Sequence, residues 1–338
     1  MPEPQPGLFA QGLSHHMHVE FAVNPAANID ALRDAITNAR RVATGLVGPN
    51  VTWGFSPTLW SALSPGTLPE TVKPLVEVRG KTGLVAPSTQ WDIWAWCSGA
   101  SAESVGATAA TIVDALANVA DLQLQLPAYT APDSRDPTGF VDGTENPLPD
   151  EAYEVAVFPA DSVGAGGSAV LVQKWVHNLT AFEALPLDEQ EGVIGRTKQE
   201  SIELPDGEIP MTSHVKRNTV LDAEGEERHI YRRNTPYNLG DEIGTQFIGA
   251  TNDPDLMIEM LERMFGATED GLIDMLATFS TVVNGSMYFV PAMSALTTAF
   301  APLADDDEDD EPPADPHRLP TDGKLRIGSL RGYGVPTA

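Results

Sequence analysis

Residues 17–48 read MHVEFAVNPAANIDALRDAITNARRVATGLVG, and the spacing of apolar residues changes within that stretch. Met17, Val19, Phe21 and Val23 alternate with polar neighbours, which puts them on one face of a strand and His18 and Glu20 on the other. From Ile29 the period lengthens. Leu32, Ile36, Ala39, Ala43 and Leu46 continue a helical stripe, Asn28 can cap its start, and Gly48 with Pro49 ends it. A short strand is expected at 51–55, and WDIWAWC at 91–97 keeps a period of two with nothing to break it. A second helix carries Val105, Ala109, Ile112, Leu116 and Val119, and a last strand carries Leu122, Leu124 and Leu126.

The resulting order, βαββαβ, is that of a ferredoxin-like unit, an antiparallel sheet with helices on one face. The second half repeats it. Strands are predicted in SAVLVQKWVHNL (168–179), HIYRRN (229–234), TQFIGAT (245–251) and MYFVPA (287–292). DPDLMIEMLERMFG (253–266) is a punctuated helix, with Asp253 as cap, Pro254 at its first position, Leu256, Met260, Leu261 and Met264 as its stripe, and Gly266 as its stop. The expected fold class is therefore α+β, with two ferredoxin-like βαββαβ domains and antiparallel sheets at 1–127 and 168–298. A linker at 128–167 joins them, and a connection that long inside a compact protein is usually functional or disordered. Residues 299–338 form an acidic tail, in which DDDEDDE (305–311) supplies seven of the 48 acidic side chains and reads as solvated and disordered.

A chain of 338 residues with 42% hydrophobic content can build a substantial core. Its formal charge of -28 repels nucleic acid and anionic membrane, so neither is expected as a partner. No run of eighteen apolar residues occurs, and MPEPQPGLFAQG lacks the features of a secretory signal, which predicts a cytoplasmic protein. The single cysteine, Cys97, excludes an internal disulfide and a thiolate cluster, leaving histidine and carboxylate as metal ligands.

The linker holds GFVDGTENP (139–147). Asp-Gly and Asn-Pro are turn formers, so a tight turn explains it; turn geometry does not, however, require the carboxylate of Asp142 between two glycines. Glycines let backbone approach a flat ligand, and a carboxylate there can move protons. Of seven histidines, His15, His16 and His18 read as a solvated strand edge, His317 lies in the tail, and His229 is expected to face away from Arg232 on its strand. His177, at a strand end, and His214, in MTSHVKRN, remain as ligands. In RRNTPY (232–237) alternation places Ile230, Arg232 and Asn234 on one face and Tyr231 with Arg233 on the other. The alternative is a surface strand with solvated basic residues. Asp274, in GLIDML, is equally readable as a helix-surface aspartate.

GxxDG followed by TENP resembles the signature of dye-decolorizing (DyP-type) peroxidases, SHVKR and the upstream EQEGVIGRTK (189–198) resemble the segment carrying that family's proximal histidine, and RxNxP resembles its distal arginine segment. The resemblance implies one haem b in the C-terminal half. It makes His214 the metal ligand, Asp274 the acceptor of the proximal imidazole's hydrogen bond, and Asp142, Arg232 and Asn234 the catalytic groups on the peroxide side. Gly143, Thr144, Glu145 and Arg196 are expected against the cofactor, Arg196 at a propionate. Hydrogen peroxide and a separate reductant, a dye, phenol or metal ion, would be the substrates. A haem-handling protein without turnover is the alternative. Chlorite dismutases and coprohaem decarboxylases share the duplicated architecture but lack GxxDG. In the tail, DGKLRIGSLRG within 319–332 resembles the cargo-loading peptide of encapsulin nanocompartments, which implies a shell protein as partner through Leu325, Ile327 and Leu330 and a location inside that compartment; the peroxidase resemblance implies a homo-oligomer.

Overall fold

The structure is a computed structural model and describes residues 2–45 and 49–300. Leu46 and Gly48 of the first helix, His317, the acidic run and the 319–332 peptide therefore lie outside the described residues. In the first half, β1 (His15–Val23), α1 (Ile29–Thr44), β2 (Asn50–Phe55), β3 (Ile93–Gly99), α2 (Ala102–Leu116) and β4 (Ala120–Tyr129) follow in the predicted order. Asn28 caps α1 by accepting from the Asp30 amide at 2.8 Å, and Ser101 caps α2 through the Ser104 amide. The helix stripes are buried as their spacing requires: Leu32, Ile36, Ala39 and Ala43 on α1, and Val105, Ala109, Ile112 and Leu116 on α2. Each Leu or Ile so buried contributes about 1.5–3 kcal/mol.

In the second half the elements that build the site are β5 (Ser168–His177), α3 (Leu187–Ile194), α4 (His214–Asn218), β6 (Tyr231–Arg232), β7 (Thr235–Asn238), β8 (Ile243–Thr251), α5 (Pro254–Phe265), β9 (Ser280–Val282) and β10 (Ser286–Val290). All pairs are antiparallel, and the main path of the sheet runs β6-β8-β5-β10-β2-β3-β1-β4, with β7 added to β8 and β9 to β5. Each half thus has the 2-3-1-4 strand order of a ferredoxin-like unit. The two halves meet where Phe289 of β10 pairs with Phe55 of β2, which makes ten strands one sheet. The stretch read as a linker carries a helix at Pro149–Ala156 and a bridge between Arg135 and Val141.

Helices pack on one face of the sheet, over Val19, Phe21, Ile93, Ala95, Leu171 and Phe289. The opposite face is also covered, by the turn Pro6–Phe9 and the helix Pro149–Ala156, and this corrects one expectation from sequence. His16 and His18 do not form a solvated edge. They are buried on β1, a strand paired on both sides, with His16 bonded to Thr130 and Trp96 and His18 to Thr235. Alternation correctly gave them the face opposite Val19, but a second covering layer cannot be read from the period of one strand.

These buried groups give the fold a pH signature. Burial lowers His16 and His177 from the usual 6.5 to about 4 and pushes His18 well below its ordinary value. It raises Glu20 from 4.5 to about 8 and Asp136 from 3.8 to about 6. A histidine depressed by folding contributes stability above pH 6.5 that is lost as pH falls through about 4. A carboxyl raised by folding contributes stability at low pH that is lost as pH rises through its folded value. Above pH 6.5 Glu20 is the main member of this set still titrating; below it, three histidines oppose two carboxyls. The expected melting temperature is highest near pH 6.5 and falls on both sides. Thermal melts from acid to pH 8 check this, and a steady rise to pH 8 would contradict it.

Candidate active site

The GFVDG loop turns sharply because Gly139 and Gly143 adopt φ of +86° and +78°, a backbone region that favours glycine. That turn aims Asp142 into a cavity of about 340 Å³, which Gly143, Thr144 and Glu145 also line. Asn146, at the end of the turn, makes two bonds to the backbone of Arg232: its Nδ2 donates to the carbonyl at 2.8 Å, and its Oδ1 accepts from the amide at 2.9 Å. The side chain acts as a short strand partner and locks the loop to β6 across 86 positions of sequence. Asn234 Nδ2 in turn donates to Asp142 Oδ1 at 3.2 Å, while Asn234 Oδ1 accepts from the Ile248 amide.

Alternation through this segment holds where it decides chemistry. Ile230, Arg232 and Asn234 line the cavity. Arg233 points the other way, donates to the carbonyls of Leu8 and Ala10, and lies over the Trp96 ring. The expectation for His229 is corrected: it also lines the cavity, because residues 229 and 230 precede the strand and are not bound by its alternation. Arg232 Nε is buried without a hydrogen-bond partner among the described residues, and its guanidinium shares the cavity with the Glu227 carboxyl, which feels its charge.

Across the cavity, Ser213 caps α4 and His214 begins it. His214 Nδ1 bonds Asp274 Oδ2 at 2.6 Å, and Asp274 is fully buried, with its Oδ1 capping the turn that starts at Leu276. Asn218 Nδ2 donates to the His214 carbonyl at 2.8 Å. The imidazole is thereby oriented, with Nε2 left for a ligand. Behind it, buried Arg217 bonds Asp270 and the Arg263 carbonyl, tying α4 to α5 and holding Asp270 below the usual carboxylate range. His177, the rival from sequence, lines the same cavity but has both nitrogens engaged, Nδ1 with Ser280 at 2.8 Å and Nε2 with Thr245 at 2.9 Å.

Leu171, Phe247, Met257 and Leu261 supply apolar wall, beside polar groups such as Gln173 and Ser280. At the polar end Arg196 lines the cavity as expected, but it is paired with Glu145 and Glu203. Glu227 stands in the same lining, and burial, reinforced by Glu145 and Glu203 and opposed by His229 and Arg232, raises its pKa. An oriented imidazole with one open nitrogen, an apolar stretch of wall and a guanidinium with an unpartnered Nε fit a haem.

The sequence profile of "Dyp-type peroxidase, C-terminal" matches residues 133–295. A dye-decolorizing peroxidase of Rhodococcus erythropolis is 34% identical over 290 residues, covering 82% of this chain and 81% of that one. This chain belongs to the dye-decolorizing peroxidase family. A DypB variant from Rhodococcus jostii RHA1, solved in complex with heme, superposes with a TM-score of 0.78 at 31% identity, covering 86% of this chain and 96% of that one. An encapsulated DyP-type peroxidase from Mycobacterium smegmatis superposes with a TM-score of 0.79 at 30% identity, covering 90% and 99%. The protein is a haem-dependent dye-decolorizing peroxidase, and the cavity is where its haem chemistry is to be sought.

Sequence reasoning named the carboxylate, the guanidinium and the imidazole of this site and missed Asn146 as a positioning group. Asn-Pro was read as a turn former, and no local pattern reveals a partner 86 positions away.

Proposed function

We propose that His214 ligates the haem iron through Nε2, with Asp274 as its hydrogen-bond acceptor, and that Asp142, Arg232 and Asn234 work on hydrogen peroxide from the opposite side. The observation that carries this reading is that His214, with its Nδ1 already committed to Asp274, shares one cavity with Asp142, Arg232 and Asn234. When bound, haem supplies the iron at which peroxide is reduced and from which donors are oxidised in one-electron steps.

Asp274 keeps the imidazole in the tautomer that offers Nε2 and makes it more electron-donating. Asn234 holds Asp142 through Oδ1, which leaves Oδ2 to take a proton from the near oxygen of peroxide and deliver it to the far one. The Arg232 guanidinium offsets the negative charge that develops on the leaving oxygen, and its backbone bonds to Asn146 set its position before peroxide arrives. Gly143, Thr144, Glu145 and Arg196, which line the same cavity, would help hold the cofactor, Arg196 by its charge toward a propionate.

The peptide within 319–332 directs the enzyme to an encapsulin shell, with Leu325, Ile327 and Leu330 as anchors. Its resemblance to a cargo-loading segment and the encapsulated neighbour from Mycobacterium smegmatis support this. A tethered segment with few anchors suffices when the shell offers many sites. The test is co-expression of the shell protein with the full chain and with a chain lacking residues 319–332. Both should oxidise a dye only with peroxide, and only the full chain should sediment with shells. Equal sedimentation of the two would sink the targeting role, and haem loading without dye oxidation would sink turnover.

A further inference from the structure

The sheet face away from the cavity buries a polar and aromatic group that the peroxidase site does not use. His18 and Glu20 on β1 are 0% and 1% exposed, beside Trp94 and Trp96 on β3 and Tyr288 on β10. The Tyr288 hydroxyl donates to Glu20 Oε2 at 2.6 Å. Its ring stacks on Trp94 with centroids 6.0 Å apart and planes at 19°, and Trp94 stacks on Trp96 with the same spacing and angle. His18 lies nearly parallel to both indoles, at 6.2 and 5.7 Å. Gly54 makes the stack possible, since a Cβ there would come within 3.0 Å of both Trp94 and Tyr288.

A core position of this kind is ordinarily filled by aliphatic residues, because a buried polar atom without a partner is costly. Here Glu20 Oε1, His18 Nδ1 and Trp94 Nε1 are buried with no partner among the described residues. The group also connects to the site through three neighbours of its residues. His18 Nε2 pairs with Thr235 Oγ1 at 2.9 Å, and Thr235 follows Asn234, which holds Asp142. Arg233, next to Arg232, lies 5.3 Å over the Trp96 ring. Tyr288 pairs in the sheet with Val170, whose neighbour Leu171 lines the cavity.

We propose that Tyr288 and Glu20 form a proton-coupled one-electron site, reached through Trp94 and Trp96, that receives the oxidising equivalent left by peroxide when no donor is at hand. The inference rests on the haem peroxidase reading. One electron leaves Tyr288 across the stacked indoles and reduces the peroxide-oxidised cofactor by one equivalent. The Tyr288 O–H bond breaks, the proton passes to the Glu20 carboxylate at Oε2, and a neutral tyrosyl radical remains beside a protonated Glu20. A later one-electron donor restores Tyr288, which takes the same proton back. Burial raises Glu20 to about 8, near enough to neutrality to leave an ionised fraction that accepts the proton and then holds it.

The test uses the full haem-loaded chain, mixed with one equivalent of hydrogen peroxide without donor, freeze-quenched and read by electron paramagnetic resonance with ring-deuterated tyrosine. The native protein should give a tyrosyl signal that narrows on deuteration. Tyr288→Phe, which keeps the stack, should lose it, and Glu20→Gln, which keeps the tyrosine but removes the proton acceptor, should lose most of it. Both should retain the native visible spectrum before peroxide, and Glu20→Gln alone suffices if Tyr288→Phe does not fold. An unchanged signal in Glu20→Gln, or no tyrosyl signal in a native protein whose visible spectrum does respond to peroxide, overturns the proposal. A native protein whose visible spectrum does not respond overturns instead the peroxidase reading beneath it.

Discussion

His214→Ala should yield protein that has lost the native visible spectrum of bound haem, with most of the cofactor released or held in an altered form. Among the cavity's histidines, His214 has one nitrogen committed to a buried carboxylate and the other open, whereas both nitrogens of His177 are taken by hydroxyls. His229 is the remaining histidine in the cavity lining, and His229→Ala should leave the spectrum intact. Asp274→Ala should be milder. It keeps the ligand but removes the group that orients it, and losing such a support typically weakens metal affinity on the order of 10–100-fold. Haem titration followed in the visible range measures all three. If His214→Ala binds haem with an unchanged spectrum, the iron is ligated by another group and the assignment of the two sides of the cavity fails with it.

The second large effect concerns the opposite side. Arg232→Ala should slow the reaction with peroxide on the order of 10²–10³-fold, the usual cost of losing a preorganised group that stabilises developing charge. Asp142→Ala should cost less, because solvent can carry a proton across one peroxide molecule but cannot supply a fixed guanidinium. Arg232 is suited to the larger part because its Nε has no hydrogen-bond partner among the described residues, while its backbone is clamped by Asn146. Asn146→Ala should therefore reproduce part of the Arg232 loss, about tenfold, by loosening the position of the arginine without removing it. Stopped-flow mixing with peroxide, following the haem bands, ranks the three variants. Equal or reversed losses for Arg232 and Asp142 would overturn the ranking, and an unaffected Asn146→Ala would show that the clamp does not set the rate.

Part of the candidate site was legible locally, while the roles of Asp142, His214 and Asp274 came from the family resemblance. Asp142 lies between two glycines that the turn requires, and Arg232 is distinguished from Arg233 by a period of two that the structure keeps. Where the strand ends, the same logic fails: His229 was expected to face away and instead lines the cavity, since extended pairing starts only at Tyr231. Arg196 was read as a group for a propionate, and its pairing with Glu145 and Glu203 was not foreseen, the former because it joins residues 51 positions apart.

By itself the sequence determined the order of strands and helices in the first half and the faces of those elements, through short-range rules of sterics, period and capping that act within a few residues of each position. The candidate roles of Asp142 and His214 came from the family resemblance, and the helices at Leu187–Ile194 and His214–Asn218 were not read. Only the tertiary structure decided that the two halves share a single sheet through Phe55 and Phe289, that Asn146 clamps Arg232, and that His177 is occupied while His214 is open. It also turned His16 and His18 from an expected solvated strand edge into buried residues. Each of these is a pairing between positions far apart in the chain. The energy of such a contact depends on which surfaces meet and how much water they exclude, and no single strand or turn carries that information.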